Sequence, residues 1–311
     1  MSGLILNETI KIYHRKLTQV LLILLVCITI GTSVYGKMNT AAVEDWRTET
    51  TQLVQNYKER LKITALAPTI HTDTENKLKI AAYRLEHNIP PTLDNPWSAM
   101  LNFSGLIEMV IIFAIIVAAD IVAGEYTAGT MKLLLIRPHS RTKILFSKYI
   151  AVALFAVVML AVLAIVGYAT NALLYGTGNI HAADLFLNRQ GEVVQKNIIM
   201  QVIKLYGLSI FPIMSYSTLA FTVSTILRSN ALAVGISLFI MIVGNSIIEA
   251  TAKIAWLKYL PFANSDISLY IYHLPARPEM TLGFSITVLL CYIFVLTLIS
   301  WAVFKNRDVF S

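Results

Sequence analysis

The residues from Tyr149 to Leu174 read YIAVALFAVVMLAVLAIVGYATNALL, and these 26 positions hold no Asp, Glu, Lys or Arg. A bilayer has a hydrocarbon core about 30 Å thick, and roughly 20 apolar residues in a helix are enough to cross it. Membranes accept helices because every backbone amide and carbonyl is then bonded within the segment. The stretch therefore predicts a membrane-spanning helix.

The composition of the whole chain agrees with this prediction. Of its 311 residues 56% are hydrophobic and 14% are charged, and the mean hydropathy is +0.66. Such a chain is too apolar to cover a soluble domain with charged side chains. The sequence predicts an all-α integral membrane protein with six transmembrane helices. The predicted spans are 17–35, 101–123, 149–174, 205–227, 231–248 and 282–304.

The segments between the spans complete the predicted organisation. Helical spacing of apolar residues predicts an extracellular hairpin between the first two spans, whose second helix would start at Thr72 with Glu75 three residues on. The predicted segments are a cytoplasmic interfacial helix at 1–16, the extracellular hairpin at 36–100, a cytoplasmic helix at 124–148, an extracellular loop at 175–204, extracellular or re-entrant helices at 249–281 and a cytoplasmic tail at 305–311.

The distribution of Lys and Arg predicts the orientation. With the N-terminus inside, eleven of these residues lie next to cytoplasmic span ends, and six lie in the two shorter outer loops. The remaining eight lie in the long first outer segment, and long loops cross the membrane regardless of charge. Both termini are expected in the cytoplasm. This bias accounts for the net charge of +7, so we predict a lipid bilayer and no nucleic acid as partner.

The residues after the second span carry the functional signal. From Ala123 to Arg141 they read AGEYTAGTMKLLLIRPHSR, and Lys148 follows at the mouth of the third span. This segment resembles the cytoplasmic loop between the second and third spans of ABC-2 type permeases, the transmembrane subunits of ATP-binding cassette exporters. The family pattern is a Glu, a Gly-Thr pair, a run of leucines, Pro-x-x-Arg and a following Lys. The positions that carry it here are Glu125, Gly129, Thr130, Leu134 or Leu135, Pro138, Arg141 and Lys148.

The resemblance implies a function and a set of partners. Two permease subunits, identical or homologous, would form a translocation path in the cell membrane of a bacterium, and two soluble ATPase subunits would bind ATP and Mg²⁺. The substrate class it implies is amphipathic: a peptide, an antibiotic or a lipid-like compound. The segment around Leu133 would be a coupling helix that docks on the ATPase, since its leucines lie among basic residues and an amphipathic helix fits a groove on a partner. The alternative is a basic interfacial helix that merely obeys the positive-inside rule.

The chain itself is predicted to be non-catalytic and to bind no cofactor or metal. The stretch from Gly31 to Met38 comes within one residue of a phosphate-binding P-loop, but Met38 replaces the hydroxyl that would bind Mg²⁺. No other Gly-rich phosphate loop occurs. The six histidines show no metal-ligand spacing.

A few polar residues inside the spans are candidates for the translocation path. Glu108 and Asp120 lie in the second span, where a charge costs about 2.5–3.5 kcal/mol on insertion scales. Asp120 could instead reach the interface, and Glu108 could be a packing contact. The fourth span carries Ser215, Thr218 and Thr222 on one face, which suits helix packing better than a path.

Two other classes of function stay open at this point. An ion-coupled transporter or channel would use Glu108 and Asp120 as its charge-bearing sites and need no ATPase. A membrane sensor or assembly factor would bind a ligand with the extracellular hairpin.

Overall fold

The computed structural model describes residues 1–39, 46–63, 68–89, 95–129, 140–177, 183–188, 191–250, 254–271 and 279–306. These residues form helices almost throughout. The helices are α1 (Ser2–His14), α2 (Lys16–Asn39), α3 (Trp46–Leu61), α4 (Pro68–Glu86), α5 (Pro96–Asn102), α6 (Leu106–Thr127), α7 (Arg141–Tyr175), α8 (Ile198–Leu208), α9 (Ile210–Leu227), α10 (Asn230–Ala250), α11 (Ser268–Ile271) and α12 (Leu282–Asn306). Two 3₁₀ helices, η1 (Ala255–Tyr259) and η2 (Pro261–Asn264), and two strands, β1 (Ala183–Leu187) and β2 (Val193–Asn197), complete the described part.

Five helical segments are long and apolar enough to cross a membrane. They are Lys16–Met38, Leu106–Thr127, Arg141–Tyr175, Ile198–Leu227 and Leu282–Asn306. The predicted fifth span corresponds to α10, whose residues Asn230–Gly244 form a shorter apolar helix. The chain is therefore a multi-pass membrane protein, as its composition predicts.

α6 forms the centre of the helix bundle. In the most apolar 18-residue stretch of α6, 67% of the residues are buried, against 17% in the corresponding stretch of α12 and 28% in that of α2. α9, α7, α10 and α2 all pack against it. The outer helices instead expose large apolar side chains, such as Ile23 on α2 and Phe294 on α12. Exposed residues of this kind suit contact with lipid tails, which are as apolar as the side chains themselves.

Both ends of the described chain lie at one end of the bundle. Arg141 at the start of α7 donates to the backbone carbonyl of Lys305 at the end of α12, over 3.3 Å. One residue later, Thr142 accepts a hydrogen bond from the indole of Trp301 over 3.2 Å. α1 packs against the same end of α7. We call this end the α1 face and the opposite end the hairpin face.

Apart from α1, the described segments outside the long helices lie at the hairpin face. α3 and α4 pair with each other, and an ion pair between Arg84 and Asp184 joins α4 to β1. The two strands are antiparallel, with Ala183 opposite Asn197. After α10, η2 is fixed to α12 because the Ser285 hydroxyl donates to the Asn264 side chain over 2.7 Å.

Several predicted boundaries are wrong. The second hairpin helix begins at Pro68, four residues before Thr72, since proline is favoured in the first turn of a helix. The predicted loop 175–204 contains the β-hairpin, and α8 already begins at Ile198. Of the predicted cytoplasmic helix 124–148, residues 124–127 belong to α6 and residues 141–148 belong to α7. Residues 130–139 lie outside the described residues.

Hydroxyl groups on α9 hold it to its neighbours. Thr218 bonds the hydroxyl of Tyr149 on α7 over 2.8 Å, and Thr222 donates to the Leu296 carbonyl on α12 over 3.1 Å. Ser224 bonds two backbone atoms of α6: it donates to the Ala119 carbonyl over 2.6 Å and accepts from the Ala123 amide over 3.0 Å. An α-helix pairs that amide with that carbonyl, so the serine hydroxyl bridges one turn of the central helix.

Replacing this hydroxyl tests how α9 is held to α6. We expect Ser224→Ala to lower the free energy of unfolding by about 1 kcal/mol, the range measured for hydrogen bonds between membrane helices. Ser217→Ala is the matched control, because Ser217 is also fully buried on α9 but bonds the Ile213 carbonyl of its own helix. Thermal unfolding in detergent gives the comparison, and an equal loss in both variants would show that the bridge adds nothing.

A buried charge cluster at the candidate coupling site

Lys148 is a charged side chain with no exposed surface. It lies two turns into α7, whose N-terminus is capped by the Ser140 side chain accepting from the Lys143 amide. An ammonium group without water must be paired, because desolvation of an isolated charge costs several kcal/mol. Its Nζ lies 2.7 Å from Oε2 of Glu8 and 3.1 Å from Oε1 of Glu125.

Lys11 completes the arrangement. Its Nζ lies 3.2 Å from Oε1 of Glu8 and 3.0 Å from Oε1 of Glu125. Glu8, Lys11, Glu125 and Lys148 therefore form a closed ring in which acidic and basic groups alternate, and we call this ring the four-charge cluster. Two positive and two negative groups give it no net formal charge.

The electrostatics of the cluster keep Lys11 ionised. Burial lowers the pKa of Lys11, but its hydrogen bond to Glu125 and the charges of Glu8 and Glu125 outweigh burial, so the pKa is raised above its usual value. Because folding raises the pKa of Lys11, its charged form stabilises the fold at pH values below the usual pKa of 10.5. This stabilisation is lost only when the pH rises through the pKa of the folded state. Lys11 therefore stays charged across the physiological range.

The cluster joins three separate elements. Glu8 and Lys11 lie on α1, Glu125 lies in the last turn of α6, and Lys148 lies on α7. A second ion pair acts beside it, where Arg15, between α1 and α2, contacts Asp120 on α6. Asp120 also accepts from the Asn230 side chain at the start of α10, over 3.2 Å. Charged contacts thus connect the ends of four helices at the α1 face.

Two members of the cluster, Glu125 and Lys148, flank the segment that carries the sequence motif. α6 ends after Thr127, and Gly129 adopts a left-handed φ of 69°, a conformation that glycine reaches without strain at helix ends. The chain is described again from Ser140. Four of the predicted coupling residues, Thr130, Leu133, Leu134 and Pro138, lie outside the described residues.

The other predicted coupling residues fall at the α1 face. Glu125 and Lys148, which bracket the motif, are in direct contact in the cluster. Arg141 lies at the first position of α7 and contacts the end of α12. The sequence resemblance thus points to two residues, Glu125 and Lys148, that lie 23 positions apart and form one ion pair.

The residues predicted for the translocation path do not come together. Asp120 lies at the α1 face, where it contacts Arg15 and Asn230. Glu108 lies in the first turn of α6 and lines a cavity at the hairpin face. Ser215, Thr218 and Thr222 are buried between helices, and the interhelical bonds of Thr218 and Thr222 support the packing interpretation for these two.

Sequence reasoning missed the contribution of α1. The interfacial helix predicted at 1–16 contains Glu8, Lys11 and Arg15, but the prediction gives them no partner inside the protein. Their spacing contains a signal, because residues at i, i+3 and i+7 lie on one side of a helix. A carboxylate and two cations on one side of a short helix next to a span indicate an ionic partner inside the protein.

The fold and the cluster define the class: a multi-pass membrane protein whose N-terminal helix is ionically bound to two of its spans. The chain belongs to the family described as "Protein of unknown function (DUF2705)", whose model matches residues 63–310. Among its relatives in Bacillus subtilis (strain 168), it is 32% identical to the uncharacterized protein YhcI, over 99% of both chains. It is 30% identical to the uncharacterized membrane protein YdbK, over 63% of this chain and 76% of the relative.

Removing the buried ammonium tests the cluster. We expect Lys148→Met to lower the free energy of unfolding by about 3–5 kcal/mol, because two carboxylates would then share one lysine in a buried site. Lys143→Met is the control on the same helix, since Lys143 is exposed, and we expect almost no change. Thermal unfolding of both variants in detergent gives the measurement, and equal stabilities would contradict the importance of the cluster.

Proposed function

We propose that this chain is the permease subunit of an ABC-2 type transporter and that the α1 face carries its docking site for a separate ATPase. The observation that carries the proposal is the contact between Glu125 and Lys148. These residues flank the segment with the family motif. Their pairing fixes the two helices, α6 and α7, from which that segment emerges.

We call residues 130–139 the docking segment, and the four-charge cluster gives this segment a rigid base. Breaking a buried ion pair is costly, so α1, α6 and α7 are coupled at this point. A force on residues 130–139 would act on both helices to which they are joined, and α6 is the central helix of the bundle. Movement of an ATPase on ATP binding would thereby be transmitted to the core.

The remaining features of the proposal concern topology and assembly. α10 would be the fifth of six spans, because Asn230 at its start contacts Asp120 at the α1 face and its other end packs against η2, which is fixed to α12 at the hairpin face. The α1 face would be cytoplasmic according to the positive-inside rule. Two such subunits in the cell membrane, with two ATPase subunits that bind ATP and Mg²⁺, would export an amphipathic substrate.

The two competing functions receive less support. An ion-coupled mechanism through Glu108 and Asp120 would need both carboxylates on one path. Asp120 is occupied by Arg15 and Asn230, and Glu108 lies at the other end of α6. A sensor that binds its ligand with the outer hairpin would leave the buried cluster at the opposite face without a purpose.

Purification of the tagged chain from its native host tests the ATPase partner. We expect a P-loop ATPase in stoichiometric amount, and we expect Leu134→Glu to abolish its recovery because a charge would enter the apolar side of the docking segment. Leu53→Glu is the matched control on α3, where the leucine is already 40% exposed. Absence of any ATPase, or its equal recovery with both variants, would contradict the proposal.

Cysteine labelling tests the orientation and the six-span count. In a chain whose Cys27 and Cys291 are replaced by serine, we expect Trp256→Cys to react with a membrane-impermeant maleimide in intact cells. Lys143→Cys should react only after permeabilisation, because three crossings would separate the two positions. Labelling of both positions from the same side would show that α10 does not cross the membrane.

A further inference from the structure

A cavity of about 170 Å³ lies at the hairpin face, away from the four-charge cluster. It opens where three stretches of backbone leave regular helix: between α5 and α6 at Ser104 and Gly105, between α8 and α9 at Ser209, and between η2 and α11. Among membrane helices, irregular backbone is tolerated where it lines a cavity, and broken helices form the substrate sites of many transporters. The position of the cavity thus suits a ligand site.

The charges in the cavity are negative. Glu108 in the first turn of α6 and Asp266 before α11 both line it and are both exposed. Asp266 caps α11 by accepting from the amide of Ser268 over 3.0 Å, a neutral donor that leaves the charge uncompensated. Among the described residues, no Lys, Arg or His lines the cavity. An anion would be repelled here, and a cation attracted.

A buried tyrosine supplies a further polar atom. The side chain of Tyr216 is almost fully enclosed, with 2% of the residue exposed, and it lines the cavity. Its hydroxyl contacts the Ser265 hydroxyl at 3.5 Å, the outer limit of a hydrogen bond. Burying the Tyr216 hydroxyl with so weak a hydrogen bond costs free energy. A ligand that forms a stronger hydrogen bond with this hydroxyl would therefore gain affinity.

Four serines also line the cavity, but one wall of it is apolar and narrows the class of ligand. Side chains on three helices form this wall: Ile107 and Ile111 on α6, Leu205 on α8, and Met241 on α10. Mg²⁺ and Ca²⁺ bind through oxygen ligands, which the carboxylates and serines of the cavity supply, but neither ion would use this apolar wall. An organic ammonium needs one or two carboxylates for its head and apolar surface for its body, which is the combination present.

We propose that this cavity binds an organic cation, with its ammonium head between Glu108 and Asp266 and its apolar body against α6, α8 and α10. As a statement about the transported substrate, the inference rests on the proposed transport function and narrows it to cationic amphipathic compounds. As a statement about binding, it concerns this chain alone, without an ATPase.

Three six-carbon probes test the site on the full chain purified in detergent. Hexylammonium, hexanol and hexanoate share one apolar body and differ in charge, and all three are too short to act as strong detergents. We expect hexylammonium chloride to raise the Tm by about 3 °C at a tenfold excess over its Kd, with the neutral and anionic probes giving no such rise. Sodium and magnesium chloride at matched ionic strength complete the series.

The carboxylate variants show where the cation binds. We expect the rise in Tm to disappear in Glu108→Gln and in Asp266→Asn, and Asn at position 266 can still cap α11. Glu59→Gln is the control, because Glu59 is an exposed acid on α3, and it should keep the full rise.

The result that would overturn the inference is a rise that survives both cavity variants or that hexanol produces equally. A rise caused by magnesium instead of the amine, and lost in Glu108→Gln, would also overturn it, since the site would then bind a metal ion. None of these three outcomes bears on ATPase recovery, so the inference and the proposed function can fail separately.

Discussion

The arrangement of the α1 face depends on the burial of one ammonium group, that of Lys148. A lysine with no exposed surface requires carboxylates within hydrogen-bonding distance, and the chain supplies them from two different elements, α1 and the end of α6. The second acid requires a second base, which is Lys11. This requirement for charge balance fixes a short N-terminal helix against two long ones, although α1 buries few apolar side chains: its buried residues are Glu8 and Ile12.

The two faces of the bundle differ in their physical character. At the α1 face, charges of both signs are paired with one another, so the helix ends are bound together. At the hairpin face, the cavity between Glu108 and Asp266 holds two charges of one sign. The transport proposed for this chain needs both properties, because force must enter at a rigid point and a ligand must meet a site with uncompensated attraction. α6 connects the two, since Glu108 lies in its first turn and Glu125 in its last.

The sequence predicted the membrane-spanning helices well because the bilayer imposes a strong pattern. Uncharged stretches of about 20 residues, such as 149–174, have no other common explanation. Features set by local backbone chemistry were harder to predict. The start of α4 at Pro68, the β-hairpin at 183–197 and the break at Ser209 depend on turns and caps that hydropathy does not report. The resemblance to the ABC-2 pattern pointed to Glu125 and Lys148, but not to their partners. Glu8 and Lys11 lie more than 100 residues away from Glu125, and a contact at that separation is visible only in the folded chain.

The central claim is that the four-charge cluster holds α1 to α6 and α7, and a double-mutant cycle between Glu8 and Lys148 tests it most directly. Lys148→Met alone leaves two carboxylates with one lysine, whereas Lys148→Met together with Glu8→Gln leaves the balanced pair of Lys11 and Glu125. The account predicts that the double variant is at least about 1.5 kcal/mol more stable than the sum of the two single losses, in the range found for residues in one ionic network. Additive losses in thermal unfolding would show that the two residues do not interact and would contradict the account.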